Sequence, residues 1–254
     1  MTEPLLRLTG ITKSFGKVTV AGDLSLSVRA GEALGIVGPN GAGKSSLFGM
    51  ISGDLRPDRG TVWFAGREIT GAPPHARTRA GIGRTYQVPR PFSHLTVFEN
   101  VLVCGHQGAG LKGRQAWAHA MDVLERTGLA PLANTPAGRL TLLQRKRLEM
   151  ARALGTGPRL LLLDEVAGGL TEPEVHELVE VVGRLHAEGL GVVWIEHVVH
   201  ALVSTVERMI CLAGGDVVAD GEPMHVLADR KVRELYLGAG PETGSGTSAP
   251  EEGA

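Results

Sequence analysis

Gly38-Pro39-Asn40-Gly41-Ala42-Gly43-Lys44-Ser45 decides how the rest of this 254-residue chain is read. Its two fixed glycines followed by Lys-Ser have the spacing of a phosphate-binding loop. Successive amides in such a turn point inward and form an anion nest. The helix that follows adds free N–H groups and the positive end of its dipole. Glycines are required because a Cβ would block the turn or the approach of a phosphate. Lys44 brings a mobile positive charge for terminal phosphates, and Ser45 brings a hydroxyl for Mg2+. Ser46, the next residue, is counted with the candidate nucleotide contacts. At about 7% glycine usage, chance places the four fixed positions in roughly one chain in a hundred of this size. The flanks argue against chance. Ala33 to Val37 is a short apolar run suited to a buried strand, and Lys44 to Ile51 reads as a helix closed by Gly53.

A second piece lies far along the chain. Leu160-Leu161-Leu162-Leu163 is an all-apolar run that ends in Asp164-Glu165. Such a run is expected of a parallel strand covered on both faces. In an open parallel sheet, ligands gather at the carboxyl ends of the strands, so both carboxylates are expected to face the glycine loop. Asp164 is the candidate Mg2+ ligand, mostly through water. Glu165 is the candidate base that orients or deprotonates an attacking water. His197 follows another apolar run, Gly191 to Ile195, and is placed where it contacts the terminal phosphate and that water.

Around these pieces the chain alternates between strand and helix patterns. Leu5 to Phe15, Leu24 to Val28 and Thr61 to Ala65 read as strands. Gln87 to Asn100 holds Pro89 and Pro91 and cannot be one regular element. Gln115 to Thr127 and Thr141 to Leu154 have helical spacing, the latter with Arg145, Lys146, Arg147 and Arg152 mostly on one side. Thr171-Glu172-Pro173-Glu174 has capping-box spacing and starts a helix running to about His186. Arg208 to Leu212 and Asp216 to Ala219 flank Gly214-Gly215 as a hairpin, and two short helices lead to Leu237. The Gly-, Ser-, Pro- and Glu-rich stretch 238–254 reads as disordered. The expected fold class is α/β, with a sub-domain inserted in one domain.

Composition bounds the partners. The formal net charge is −1, with 43% hydrophobic and 4% aromatic residues. No global basic field and few stacking platforms predict no nucleic acid partner. Cys104 and Cys211 form no disulfide framework and suit no metal site, which points to a reducing compartment. No apolar run approaches the roughly 20 residues that span a bilayer, and Met1 to Thr9 lacks a signal-peptide core. Any membrane role is therefore expected to come through a partner.

Taken together, these residues resemble the ATP-binding cassette family of transporter ATPases over nearly the whole of Leu5 to Leu237. The resemblance implies a P-loop NTPase (RecA-like) core with an antiparallel β sub-domain and an inserted α-helical sub-domain at about 88–155. It implies ATP and Mg2+ as cofactors. It places Phe15 where the family stacks an aromatic ring on adenine. It makes Gln87, in Gly83-Arg84-Thr85-Tyr86-Gln87, the loop glutamine that senses Mg2+ and the terminal phosphate. It aligns Leu140 to Leu154 with the signature helix and Gly168-Gly169-Leu170-Thr171 with the loop that crosses the dimer interface. Gly83 to Gln87, Arg90 to Val101 and Glu234 to Gly238 look most like branched-chain amino acid importers, although relatives serving urea, amides or lipopolysaccharide look similar.

One stretch departs from that family. The signature normally reads Leu-Ser-Gly-Gly-Gln, and here it is Leu140-Thr141-Leu142-Leu143-Gln144. Leucine side chains are expected to crowd the approach of backbone amides to a partner's phosphate. Thr171 replaces the usual Asp, and Val166 the usual Pro. The resemblance thus implies transmembrane permease subunits, a second ATPase subunit with a heterodimer favoured, and a solute-binding protein reached indirectly. It implies a peripheral position on the cytoplasmic face of the inner (plasma) membrane. A soluble cassette ATPase of DNA repair or translation, and a regulatory ATP-binding module, stand as the other readings.

Overall fold

The structure, a computed structural model, describes residues 3–237. The stretch 238–254, read as disordered from its composition, lies outside the described residues. The chain begins with β1 (Leu6–Phe15), β2 (Val18–Val28) and β3 (Ala33–Val37), then α1 (Lys44–Ser52), β4 (Arg59–Phe64), β5 (Arg67–Glu68), α2 (Pro74–Ala80) and β6 (Ile82–Arg84). Three longer helices follow, α3 (Val97–Gln107), α4 (Gly113–Arg126) and α5 (Leu142–Gly155), with short 3-10 turns between α4 and α5. The remainder is β7 (Leu160–Asp164), α6 (Glu172–Ala187), β8 (Gly191–Ile195), α7 (Val199–Val203), β9 (Arg208–Ala213), β10 (Asp216–Gly221), α8 (Pro223–Ala228) and α9 (Arg230–Leu237).

These elements form two sheets. The larger has six strands in the order β10-β9-β3-β8-β7-β6, parallel except for the β9–β10 hairpin. Its central strands β3, β7 and β8 are buried at every position. Alternation sends their side chains to two cores. Leu161, Leu163, Val192 and Trp194 pack with α5 and α6, whereas Leu160, Leu162, Val193 and Ile195 pack with α1. The smaller sheet is antiparallel, β2-β1-β4-β5, and its Leu6, Leu8, Leu26 and Val62 close over the other side of α1. Helix α1 is thus buried nearly all round, and only its amino end, capped by no side chain, is left to meet a ligand.

The expected α/β class is what the chain adopts. Most strand and helix positions match the sequence pattern, including the break after Gln87, whereas β2 and α2 differ from it. β2 begins at Val18 rather than Leu24, because its largely exposed first half, Val18 to Asp23, is paired along β1 as far as Phe15↔Val18. Helix α2 is short and polar. It is held by the buried Arg77, whose guanidinium donates to the carbonyls of Met50 and Ile51 at the end of α1 and to those of Thr70 and Ala72. The segment from Gln87 stays irregular until Thr96, whose capping box with Glu99 starts α3.

Candidate functional site

The glycine loop joins the carboxyl end of β3 to the amino end of α1. Gly38 has φ 147° and Gly43 φ 97°. A Cβ on Gly38 would overlap the carbonyl oxygen of Leu212, and one on Gly43 that of Val20. The loop is therefore wedged between β9 and β2, and both glycines are sterically required. Ala42 points into the core, Ser46 is half-buried, and Asn40, Gly41 and Ser45 are exposed. The Lys44 amine donates to Gly38 O at 2.7 Å and Pro39 O at 3.0 Å, so the cation sits on the loop it serves. Burial pushes this amine below its usual value, while Glu165, Cys211 and Asp164 pull it back up. Phe15 ends β1 beside this region, half exposed, with the Lys13 amine 5.4 Å from its ring centre.

Three neighbouring strands deliver the rest. Gln87 follows β6, Glu165 follows β7 and His197 follows β8, and these strands are adjacent in the sheet. Asp164 is 5% exposed and meets Arg84 Nη2 at 3.2 Å. Burial raises its carboxyl above the usual range, and Arg84 opposes the shift. Arg84 also reaches Asp54 and Ser52 Oγ, both at 2.9 Å. Glu165 adopts φ 49°, a left-handed conformation rare for a residue with a side chain. Gln87 Nε2 donates to Glu165 Oε2 at 2.6 Å, and His197 Nε2 lies 2.9 Å from Glu165 Oε1.

Ser45, Gln87 and Asp164 line one cavity of about 500 Å³. A hydroxyl, an amide and a carboxylate are the hard oxygen donors that suit Mg2+ when substrate phosphates complete the shell. The Gln87 amide group spends its N–H on Glu165, which leaves its oxygen for a cation. Among the described residues no cluster of three His, Cys, Asp or Glu side chains could hold a metal alone. A separate cleft of about 620 Å³, at the amino ends of β3, β7 and β8, contains none of these groups.

Two charged residues went unrecognised in the sequence. Lys146, grouped there with a basic face of α5, is 4% exposed and points inward, which corrects that grouping. Its Nζ donates to Gln87 O at 3.0 Å and Glu165 O at 3.1 Å. The signal that could have found it is period: Leu143, Lys146 and Met150 fall on one helical stripe, and all three are buried. Glu196 is 1% exposed, and its carboxylate accepts the N–H groups of Ala167, His197 and Val198. Burial raises its carboxyl above the usual range, against those three bonds.

At the altered stretch, Thr141 caps α5 through a box with Gln144. Leu143 is 9% exposed and Leu142 43%, so one leucine packs inward and one faces out. The outward one rests against Gly169, its Cδ2 lying 3.4 Å from where a Cβ on that glycine would sit. Thr171 is occupied locally, its N–H and hydroxyl both donating to Glu174 at 2.8 Å.

A glycine loop at the end of β3, with an acid-ended β7 two strands away, defines a nucleotide hydrolase of the P-loop class. The model of the family described as ABC transporter matches residues 21–168. The branched-chain amino acid transport ATP-binding protein BraF of Pseudomonas aeruginosa is 34% identical over 253 residues, covering 94% of this chain and 99% of that one. The lipopolysaccharide export system ATP-binding protein LptB of Acidithiobacillus ferridurans is 36% identical over 234 residues, covering 92% and 97%. Among solved structures, the ADP conformation of MJ1267, an ATP-binding cassette of an ABC transporter, is 33% identical with a TM-score of 0.85, covering 93% of this chain and all of that one. The chain belongs to the ABC transporter family as an ATP-binding subunit, and it is an ATP hydrolase of that type.

Proposed function

We propose that this chain energises solute import, of branched-chain or related amino acids, from the cytoplasmic face of the inner (plasma) membrane. The observation that carries the hydrolytic half is the meeting of Gln87, Glu165 and His197 at hydrogen-bond distance beside the glycine loop. In this reading Gly38 to Ser46 cradle the phosphates and Phe15 stacks on adenine. Glu165 takes the proton of the attacking water. His197 fixes the orientation of that carboxylate and of the phosphate. Ser45, Gln87 and Asp164 hold Mg2+, which supplies charge neutralisation on the phosphates. Two such subunits close over ATP and part after hydrolysis, an order-and-release switch.

The relatives' names support amino acid import, and the LptB name supports lipopolysaccharide export as the competing reading. Co-purification of the chain with its membrane subunits, followed by ATPase assay, separates them. Import predicts stimulation by a periplasmic binding protein loaded with leucine, isoleucine or valine. Stimulation by lipopolysaccharide, with none from the loaded binding protein, overturns the import reading.

The permease is proposed to dock on the 88–155 helical region. Tyr86, Val88 and Phe92 are large exposed apolar residues, and Tyr86 and Val88 line the Gln87 cavity. The buried Asn100 holds that loop firm, its side chain bonded to both N–H and C=O of Phe92. A cysteine introduced at Phe92 is expected to cross-link to a cytoplasmic loop of the permease. No product with any permease loop counts against this docking.

The second ATPase subunit is proposed to be a different chain. The outward Leu142 stands where a partner's phosphate needs bare backbone, so a homodimer carries two obstructed sites, whereas a partner with an intact signature completes this chain's own loop. Lost transition-state donors cost about 100-fold or more in turnover. The purified chain alone is therefore expected to hydrolyse ATP at least about tenfold more slowly than the assembled transporter. Equal rates overturn the heteromeric reading.

A further inference from the structure

Two buried charges outside the nucleotide contacts are bonded to main chain rather than to each other's side chains. Lys146 bonds the carbonyls of Gln87 and Glu165, from the loops after β6 and β7. Glu196 bonds Ala167 N at 2.6 Å, His197 N at 3.0 Å and Val198 N at 3.4 Å, from the loops after β7 and β8. Between them the two residues touch all three loops that carry the hydrolytic side chains. Glu196 is foremost among the anions that offset the burial of the Lys146 amine, ahead of Glu165 and Asp164.

The backbone of Glu165 gives these bonds a purpose. A left-handed φ at a non-glycine residue persists only where its surroundings over-determine it. The Glu165 N–H is fixed by Ile195 O at 2.9 Å, and its C=O by Lys146 Nζ at 3.1 Å and, more loosely, by the Gly168 N–H at 3.4 Å. Without the left-handed turn, its carboxylate leaves the Gln87 and His197 side chains. Burying two charges is costly, and a surface pair serves stability more cheaply. Here the cost is spent on backbone groups that border the reacting centre.

We infer that Lys146 and Glu196 are positioning residues for ATP hydrolysis, a two-charge staple that holds the backbones of Gln87, Glu165 and His197 in the arrangement the reaction needs. The inference rests on Glu165 acting as the base. Because Lys146 lies one residue beyond the first turn of α5, it also ties the segment offered to the partner's ATP to the base of this chain's own site.

The test uses the transporter co-purified from its own membranes. Lys146→Met is expected to lower kcat about 30-fold or more, as small misplacements of catalytic groups do, with the KM for ATP changed less than about threefold. Lys146→Arg, which keeps the charge and the donors, is expected to recover most of the loss. In a Glu165→Gln background, Lys146→Met is expected to add nothing, since the two act as one unit. A kcat within about threefold of wild type, a loss expressed in KM, or an additive effect in that background overturns the staple. If Lys146→Met does not assemble, Glu196→Gln carries the test. It keeps the size and one acceptor oxygen, and it is expected to lower kcat at unchanged KM, with wild-type kcat overturning the proposal. Glu165→Gln alone separates the failures. An inactive Glu165→Gln beside a normal Lys146→Met refutes the staple only, whereas an active Glu165→Gln removes the base assignment and the staple together.

Discussion

Glu165→Gln is expected to bind ATP with an affinity within about threefold of wild type and to turn it over about 100-fold more slowly or worse, the range spanned by removing a general base. The geometry explains why binding survives. The Glu165 carboxylate is bonded to Gln87 and His197, and the Lys44 amine keeps its own bonds to Gly38 O and Pro39 O when that charge is removed. A glutamine of the same shape still offers an oxygen to Gln87 Nε2. The left-handed backbone at residue 165 is set by Ile195 O and Lys146, so it does not depend on the side-chain charge. What disappears is basicity alone. Measuring equilibrium binding of a fluorescent ATP analogue beside steady-state hydrolysis separates the two effects. Hydrolysis near the wild-type rate removes Glu165 from the role of base, and lost binding shows that its charge also supports the loop.

The parts of this site that are legible in the sequence are those whose cause is local. The glycine loop announces itself because φ values of 147° at Gly38 and 97° at Gly43 demand glycine, whatever the rest of the chain does. β3, β7 and β8 announce themselves because strands covered on both faces read as continuous apolar runs. What stays hidden has a tertiary cause. Helix α2 is polar along its length and exists because Arg77 reaches carbonyls of α1, some 26 residues back in sequence. Lys146 and Glu196 carry charge, and charge predicts surface. Their burial follows from loops that meet only once the sheet order β8-β7-β6 is known. The altered signature lies between these cases. Its two leucines are visible in the sequence, but that Leu143 turns inward while Leu142 stays out is decided by the phase of α5 after its Thr141 cap.

Gly43→Ala is expected to lower the unfolding temperature more than Gly41→Ala, although both glycines are left-handed and belong to the same loop. Gly43 has φ 97° and Gly41 φ 79°. A left-handed alanine costs about 1–2 kcal/mol in either place. The difference is what the new methyl meets. At Gly41 nothing lies within 4 Å, whereas at Gly43 the Cβ overlaps the carbonyl oxygen of Val20. That oxygen belongs to β2, which is paired along β1, so it cannot yield as a flexible side chain would. Forcing an atom into a packed site costs about 1–3 kcal/mol, which brings Gly43→Ala to roughly 3–4 kcal/mol in all. For a domain of this size each kcal/mol moves the transition by about 2–4 °C, so the drop is about 10 °C against about 5 °C for Gly41→Ala. Relief of the overlap moves the loop off β2 and turns its amides from the phosphates. Losing two charge-assisted bonds of about 1.5 kcal/mol each lowers ATP affinity on the order of 100-fold. Calorimetric scans without nucleotide, with ATP titrations beside them, read both effects. Equal unfolding temperatures for the two variants contradict the wedge between β2 and the loop, because strain without overlap then accounts for each.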